Sequence, residues 1–230
     1  MMKKALLLVV MALCTVCANA QLMRAEELEK YAKEKYGDKW EQAATNIASQ
    51  VTLDKNNALT FVQVIEAPGK TKEQLYVILN YWYTATFNDA NSVIKLNDKD
   101  AGCIIGQGYV EGIAAHSGGT NTYNVNIRPI IKTDIKEGKV RVTYSVPSYD
   151  VNVLAGGGIM AALAGSMNQA KRIDETWPLD QTYPFAAKDA FGAKKTSSKA
   201  CIMAYSYSQV MMDKIEAAIK EGMVGEDSDW

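Results

Sequence analysis

Residues 121–146 read NTYNVNIRPIIKTDIKEGKVRVTYSV, and their alternation decides the fold. Tyr123, Val125, Ile127 and Ile131 share one face, while Asn124, Asn126, Arg128 and Lys132 share the other. The pattern returns after the next turn, with Val140, Val142, Tyr144 and Val146 set against Lys139, Arg141, Thr143 and Ser145. A period of two marks a strand buried on one side only. Strands wet on one face and dry on the other belong to antiparallel sheets, and the dry face needs a cover, which helices supply.

Upstream, Gly102 to about Ile113 reads as one long strand. One face carries Gly102, Ile104, Gly106, Gly108, Val110 and Gly112; the other carries Cys103, Ile105, Gln107, Tyr109, Glu111 and Ile113. Asn97-Asp98-Lys99-Asp100 is the polar turn before it, and Val93, Ile94 and Leu96 make a short strand before that. Thr71 stands three residues before Gln74, the spacing of a capping box. Leu75, Ile78, Leu79, Trp82 and Thr86 then recur at helical spacing. Ala58 to Glu66 is rich in β-branched and aromatic residues and ends at Pro68-Gly69, a strand and a turn. These pieces form a core at 58–147 inside a domain spanning 51–222.

Downstream of Pro147 the composition changes. Residues 151–170 carry no charge and centre on Gly156-Gly157-Gly158 and Ile159-Met160-Ala161-Ala162-Leu163. Glycines together with Asn152, Ser166, Asn168 and Gln169 dilute the run too far for the ~20 apolar residues of a membrane span. Three readings remain: a glycine-hinged lid, a segment touching a membrane or partner, and a small-residue helix packed on the sheet, which is favoured. Residues 171–199 read as an irregular connection with one short edge strand near Thr176 to Leu179. Ser197 or Ser198 caps a final helix at 198–222, with Ala204, Tyr207, Ser208, Met211, Ile215, Ala218 and Ile219 inward. Glu226, Asp227 and Asp229 place residues 223–230 in an acidic tail.

Residues 1–20 form a secretory leader: Lys3 and Lys4, an apolar run from Ala5, and the small-x-small site Ala18-Asn19-Ala20. Cleavage between Ala20 and Gln21 implies a periplasmic or extracellular protein. Residues 21–50 form an N-terminal helical segment, broken near Gly37-Asp38. Leu28, Ala32, Tyr36, Trp40, Ala43 and Ile47 make its apolar stripe, for docking on the same chain, and Glu26–Lys30 and Glu29–Lys33 are pairs four apart. Loss of Lys3 and Lys4 takes the net charge from −1 to −3, which is no footprint for a nucleic-acid binder. Of four cysteines, Cys103 and Cys201 outlast the leader. An oxidising compartment allows them to pair; two small buried thiols is the preferred reading.

Little of this carries chemistry. His116 is the sole histidine and lies beside Ser117-Gly118-Gly119, a turn between strands. One imidazole makes no His-based metal cluster, and a serine adjacent in sequence makes no triad. Neither Cys103 nor Cys201 has the flanks of a nucleophile. The glycines at 102, 106, 108 and 112 lie between strands, whereas a phosphate loop joins a strand to a helix; they let a helix or a ligand approach the sheet. Asn97 to Gly102 lacks the ligands of a calcium loop. The sequence therefore assigns no catalytic, metal or cofactor residue and names no ligand-binding one.

The signal peptide, with Lys72-Glu73-Gln74-Leu75-Tyr76, Trp82, Phe87, Val93-Ile94 and Gly102-Cys103-Ile104-Ile105-Gly106-Gln107-Gly108, resembles a domain-of-unknown-function family with TBP-like fold from secreted Bacteroidetes proteins. The likeness runs from about Leu59 to Val146. It implies an α+β fold: an antiparallel sheet covered by helices in the order β-α-β-β-β-β-α, here with an extra N-terminal helix. It implies no catalytic motif, and a DNA-binding cousin in fold implies no DNA binding. The resulting expectation is an exported, non-catalytic envelope module holding a small apolar ligand or lipid between the sheet and the C-terminal helix. The alternative is an assembly protein binding an envelope partner; a hydrolase stands third, and an unfilled void under the final helix separates the first two.

Overall fold

The computed structural model describes residues 23–87, 93–165 and 170–222. Residues 1–20, expected as a leader, residues 223–230, expected as an acidic tail, and four residues of the 151–170 stretch lie outside the described residues.

Two helices open the fold, α1 (Ala25–Tyr36) and α2 (Trp40–Ile47), parted at Gly37, whose φ of 88° suits glycine. The stripe is buried as read, with Tyr36 half-buried. Lys33 meets Glu29 at 2.7 Å, while Lys30 faces Glu34 at 4.0 Å rather than Glu26. Strand β1 (Leu59–Glu66) leads to α3 (Lys72–Thr86). The capping box forms in full: the Gln74 amide donates to Thr71 Oγ1 at 3.2 Å, and the Thr71 amide donates to Gln74 Oε1 at 2.9 Å.

Eight further strands follow: β2 (Ile94–Asp98), β3 (Cys103–Gln107), β4 (Val110–Ser117), β5 (Asn121–Ile127), β6 (Ile130–Lys136), β7 (Lys139–Val146), β8 (Ser148–Ala155) and β9 (Lys171–Pro178). They form two antiparallel sheets, ordered β1-β7-β6-β3-β2 and β4-β5-β8-β9. The pairs β3/β4, β5/β6 and β7/β8 are each one chain run that leaves one sheet and enters the other. All three cross at one line, through Gly108-Tyr109, Arg128-Pro129 and Pro147. A proline has no N–H for the ladder, so two of the crossings cannot pair there, and the Gly108 amide donates to Pro129 O at 2.9 Å. The expected long strand from Gly102 to Ile113 is thus two strands. Its alternation also slips at Gly112 (φ 64°), a bulge that turns Ile113 to the buried side with Val110.

The stretch at 151–170 differs from the favoured reading. Val151 to Ala155 complete β8, with Val151 and Val153 buried. Only Ile159–Leu163 is helical (α4), and none of its residues is buried, so it does not pack on the sheet. The edge strand is eight residues long, β9, rather than a short piece at Thr176 to Leu179.

The last helix, α5 (Lys194–Glu221), starts four residues before the expected Ser198 and runs for 28 residues. Neither serine caps it: Ser198 Oγ donates back to Lys194 O at 2.7 Å, inside the helix. Its predicted inner face is buried except for the half-buried Ala218, and its N-terminal half is buried nearly all round. It packs against strands of both sheets and against α1, α2 and α3. Lys199 reaches Glu29 of α1 at 2.7 Å, fixing the N-terminal segment on its own chain. Among the described residues no helix is long and apolar enough to cross a membrane.

Candidate functional site

The glycines of β3 serve packing. A Cβ at Gly106 would stand 2.6 Å from the Tyr83 ring, and one at Gly108 3.3 Å from the Phe87 ring. Of helix or ligand, it is α3 that approaches the sheet here, and Tyr83 Oη donates to Ile131 O at 3.0 Å. The 97–102 segment closes as a polar turn, with the Ala101 amide donating to Asp98 Oδ1 at 2.8 Å and Lys72 Nζ to Asp100 O at 2.7 Å. Among the described residues no group of histidine, cysteine and acidic side chains could hold a metal ion. Cys103 and Cys201 are both free; Cys201 is buried on α5, and burial pushes its thiol up to about 12.

The interior between the sheets and α5 is filled by side chains. Tyr144, Tyr149, Tyr207, Met203, Met211 and Ile215 are buried there, and Trp177 stacks on Phe191 with centroids 4.5 Å apart. Tyr144 and Tyr149 carry hydroxyls with no partner. The outer face of the second sheet is a polar ladder with its bonds satisfied. Asn126 Nδ2 donates to Asn152 Oδ1 at 3.2 Å, Asn152 Nδ2 to Asp174 Oδ1 at 2.7 Å, and Arg128 lies 4.7 Å from the Tyr109 ring centroid.

A different chemistry gathers at the head of α5. There a cleft of about 340 Å³ is walled by His116 of β4, the Gly118-Gly119-Thr120 turn, Asn121 and Tyr123 of β5, and Gly192 to Thr196. The loop entering α5 is held by Asp189, which accepts from the amides of Tyr183, Phe191 and Ala193, each at 3.1 Å. Gly192 takes φ 62° and Ala193 gives no side-chain cap. The first-turn amides of Lys194, Lys195 and Thr196 therefore have no intrahelical acceptor, and the helix dipole places roughly half a positive charge here.

Thr196 is 1% exposed and lines the cleft, yet its Oγ1 has no hydrogen-bond partner; Ser197 Oγ beside it is in the same state. Lys194 reaches Glu41 at 3.3 Å and Lys199 reaches Glu29, whereas Lys195 forms no ion pair among the described residues. No carboxylate lines the cleft. His116 is pushed below its ordinary 6.5 by burial first, then by the charges of Lys195 and Lys199. The arrangement offers amides, a hydroxyl and ammonium groups to an anion.

His116 and the Gly118-Gly119 turn beside it thus reach this site; Cys103, Cys201 and the β3 glycines do not. Sequence reasoning missed Lys195 and Thr196. Their signal was Gly192 followed by Lys194-Lys195-Thr196 at a helix start, hidden because the helix was expected to begin at Ser198.

Residues 61–150 match the family model described as a domain of unknown function (DUF4468) with TBP-like fold. No curated protein matches the chain. Two solved structures resemble it. One is a TBP-like protein from Parabacteroides distasonis ATCC 8503, 12% identical over 72% of this chain and 95% of the other, with TM-score 0.47. The second is a DUF4468 family protein from Bacteroides ovatus ATCC 8483, 14% identical over 73% and 91%, with TM-score 0.43. Residues 61–150 of this chain are thus similar to the DUF4468 family, described as having a TBP-like fold.

Proposed function

We propose that the protein is an exported, non-catalytic binding module that takes an anionic group, phosphate-like or carboxylate-like, in the cleft at the head of α5. One observation carries the reading: Thr196, whose buried hydroxyl has no partner, lines a cleft that has an unpaired lysine and no acid among its lining residues. Most buried polar groups are satisfied in folded proteins, so the unused O–H donor of Thr196 asks for an acceptor atom, which an anion supplies. Export rests on the leader at 1–20. A small apolar ligand under α5 loses support, because tyrosines and methionines occupy that space.

Phosphate titration of the protein from Gln21 onward, followed by calorimetry, tests the reading. Saturable binding is expected, and Lys195→Ala is expected to weaken it about tenfold, the effect of a charged hydrogen bond lost. Absence of saturable binding refutes it. The filled interior also favours the assembly reading, in which a partner is met at the surface; a carboxylate of that partner would then occupy the cleft. A hydrolytic role would replace both if a turnover screen found activity that vanished in His116→Ala.

A further inference from the structure

We propose that this end of the molecule docks on a membrane containing anionic phospholipid, a headgroup phosphate entering the α5 cleft while α4 sits among the acyl chains. The inference rests on the anion-binding reading and names the source of the anion. Its independent support is α4 itself. Ile159 is 56% exposed, Met160 61% and Leu163 79%, and no residue of this helix is buried. Three large apolar side chains on one turn of surface helix are thus more than half exposed among the described residues.

The apolar knuckle and the cleft are one construction. Backbone amides of Gly158, Ile159 and Met160 donate to Thr120 O, Gly118 O and Gly119 O at 3.0, 3.3 and 3.0 Å. A Cβ at Gly119 would lie 4.0 Å from Met160 Cγ. The same turn, 118–120, walls the cleft. The knuckle is therefore fixed beside the anion position rather than hung from a free loop.

Charge at this end agrees. Residues 151–165 are uncharged, and the chain returns into β9 through Lys171 and Arg172, opposite Ala155 and Leu154. Lys194 and Lys195 stand at the cleft walled by the 118–120 turn on which α4 rests. Lys194 is paired with Glu41 and Arg172 with Asp174, and Asp189 is held by three amides, which leaves Lys171 and Lys195 without an ion pair among the described residues. Apolar side chains entering the headgroup boundary with cations at its edge is the pattern of a protein lying on a membrane rather than crossing it. An anionic surface adds attraction for each nearby lysine or arginine.

The test uses the protein from Gln21 onward, sedimented with vesicles of phosphatidylcholine with and without phosphatidylglycerol, in parallel with titration by inorganic phosphate. Binding is expected only to vesicles that contain phosphatidylglycerol. Met160→Ser with Leu163→Ser, both on exposed positions, is expected to lower vesicle affinity at least about tenfold while free phosphate binds as before. Lys195→Ala is expected to weaken both. Phosphate binding without vesicle binding overturns this inference and leaves the anion site standing. Vesicle binding indifferent to the serine substitutions also overturns it, because the contact then lies elsewhere. Loss of both activities in the unsubstituted protein removes the anion site and the membrane contact together. Thermal melts of each variant establish that it is folded.

Discussion

Replacing Thr196 by valine separates stability from binding. The hydroxyl is buried and unpartnered, and leaving such a group unpaired costs about 1–3 kcal/mol. Valine keeps the branched shape, and its helix propensity is close to that of threonine. Thr196→Val is therefore expected to stabilise the unliganded protein by about 1 kcal/mol, which raises Tm by about 2–4 °C in a chain of this size. The same change removes a hydrogen bond to a charged ligand, a loss of about 1.5–3 kcal/mol, or roughly ten- to a hundredfold in affinity. Differential scanning fluorimetry with and without phosphate reads both. The unsubstituted protein gains about 2.7 kcal/mol when phosphate stands at a hundred times its dissociation constant, and the valine variant gains far less. Thr196→Ser, which keeps the hydroxyl, serves as the control and retains binding. A valine variant that melts lower without ligand would mean that Oγ1 already has a partner, and the reasoning for the site would fail there.

Three other outcomes follow from the same coordinates. His116 is held below its ordinary 6.5 by burial and by Lys195 and Lys199; an anion offsets that repulsion, so binding takes up a proton and affinity rises as pH falls through the histidine range. Sulfate, whose charge stays constant there, is the probe, and a flat profile that does not change in His116→Gln contradicts the placement. In the unliganded protein the depressed pKa works the other way, with stability present above 6.5 and lost as pH falls toward the folded value. Thiol titration of non-reduced protein from Gln21 onward should find two thiols after unfolding, with Cys201, its thiol pushed up to about 12 and buried, silent in the native state; zero thiols after unfolding would reveal a disulfide. Gly158→Ala sets a Cβ 2.6 Å from Gly118 O and 2.7 Å from Gly119 O, both backbone, and should lower stability by about 1–3 kcal/mol in urea unfolding. An unchanged midpoint would mean that the α4 junction yields freely.

Where the sequence was legible, a repeating physical signal was present. The β7 alternation shows because Val140, Val142, Tyr144 and Val146 meet only core while their neighbours meet water. The α3 start shows because Thr71 and Gln74 satisfy each other's amides. Strand β9 was hard to see because it is an edge strand with Lys171, Arg172, Ile173 and Asp174 all exposed, so no two-residue burial rhythm remains. Val151 to Ala155 were absorbed into an uncharged run that spans two different environments, core contact in β8 and the exposed surface of α4. The α5 start was displaced because Ser197 and Ser198 look like caps, whereas the loop is fixed by Asp189, four positions before Ala193. The site was invisible for a further reason. It joins residues 116–123 to residues 192–196, far apart along the chain, and no local pattern encodes that meeting.

The near-complete burial of α5 over its first half bears on how the chain is made. Residues 194–221 are synthesised after the strands and helices that surround them, yet they are the pillar on which those parts rest. Until Met211 and Ile215 have emerged, Val140, Tyr144 and Tyr149 face water, and the opening helices have nothing to lean on. Maturation must wait for contacts between the two ends of the polypeptide, the kind of long-range closure that slows folding. A product ended before α5 would be a sticky client of chaperones rather than a smaller working protein.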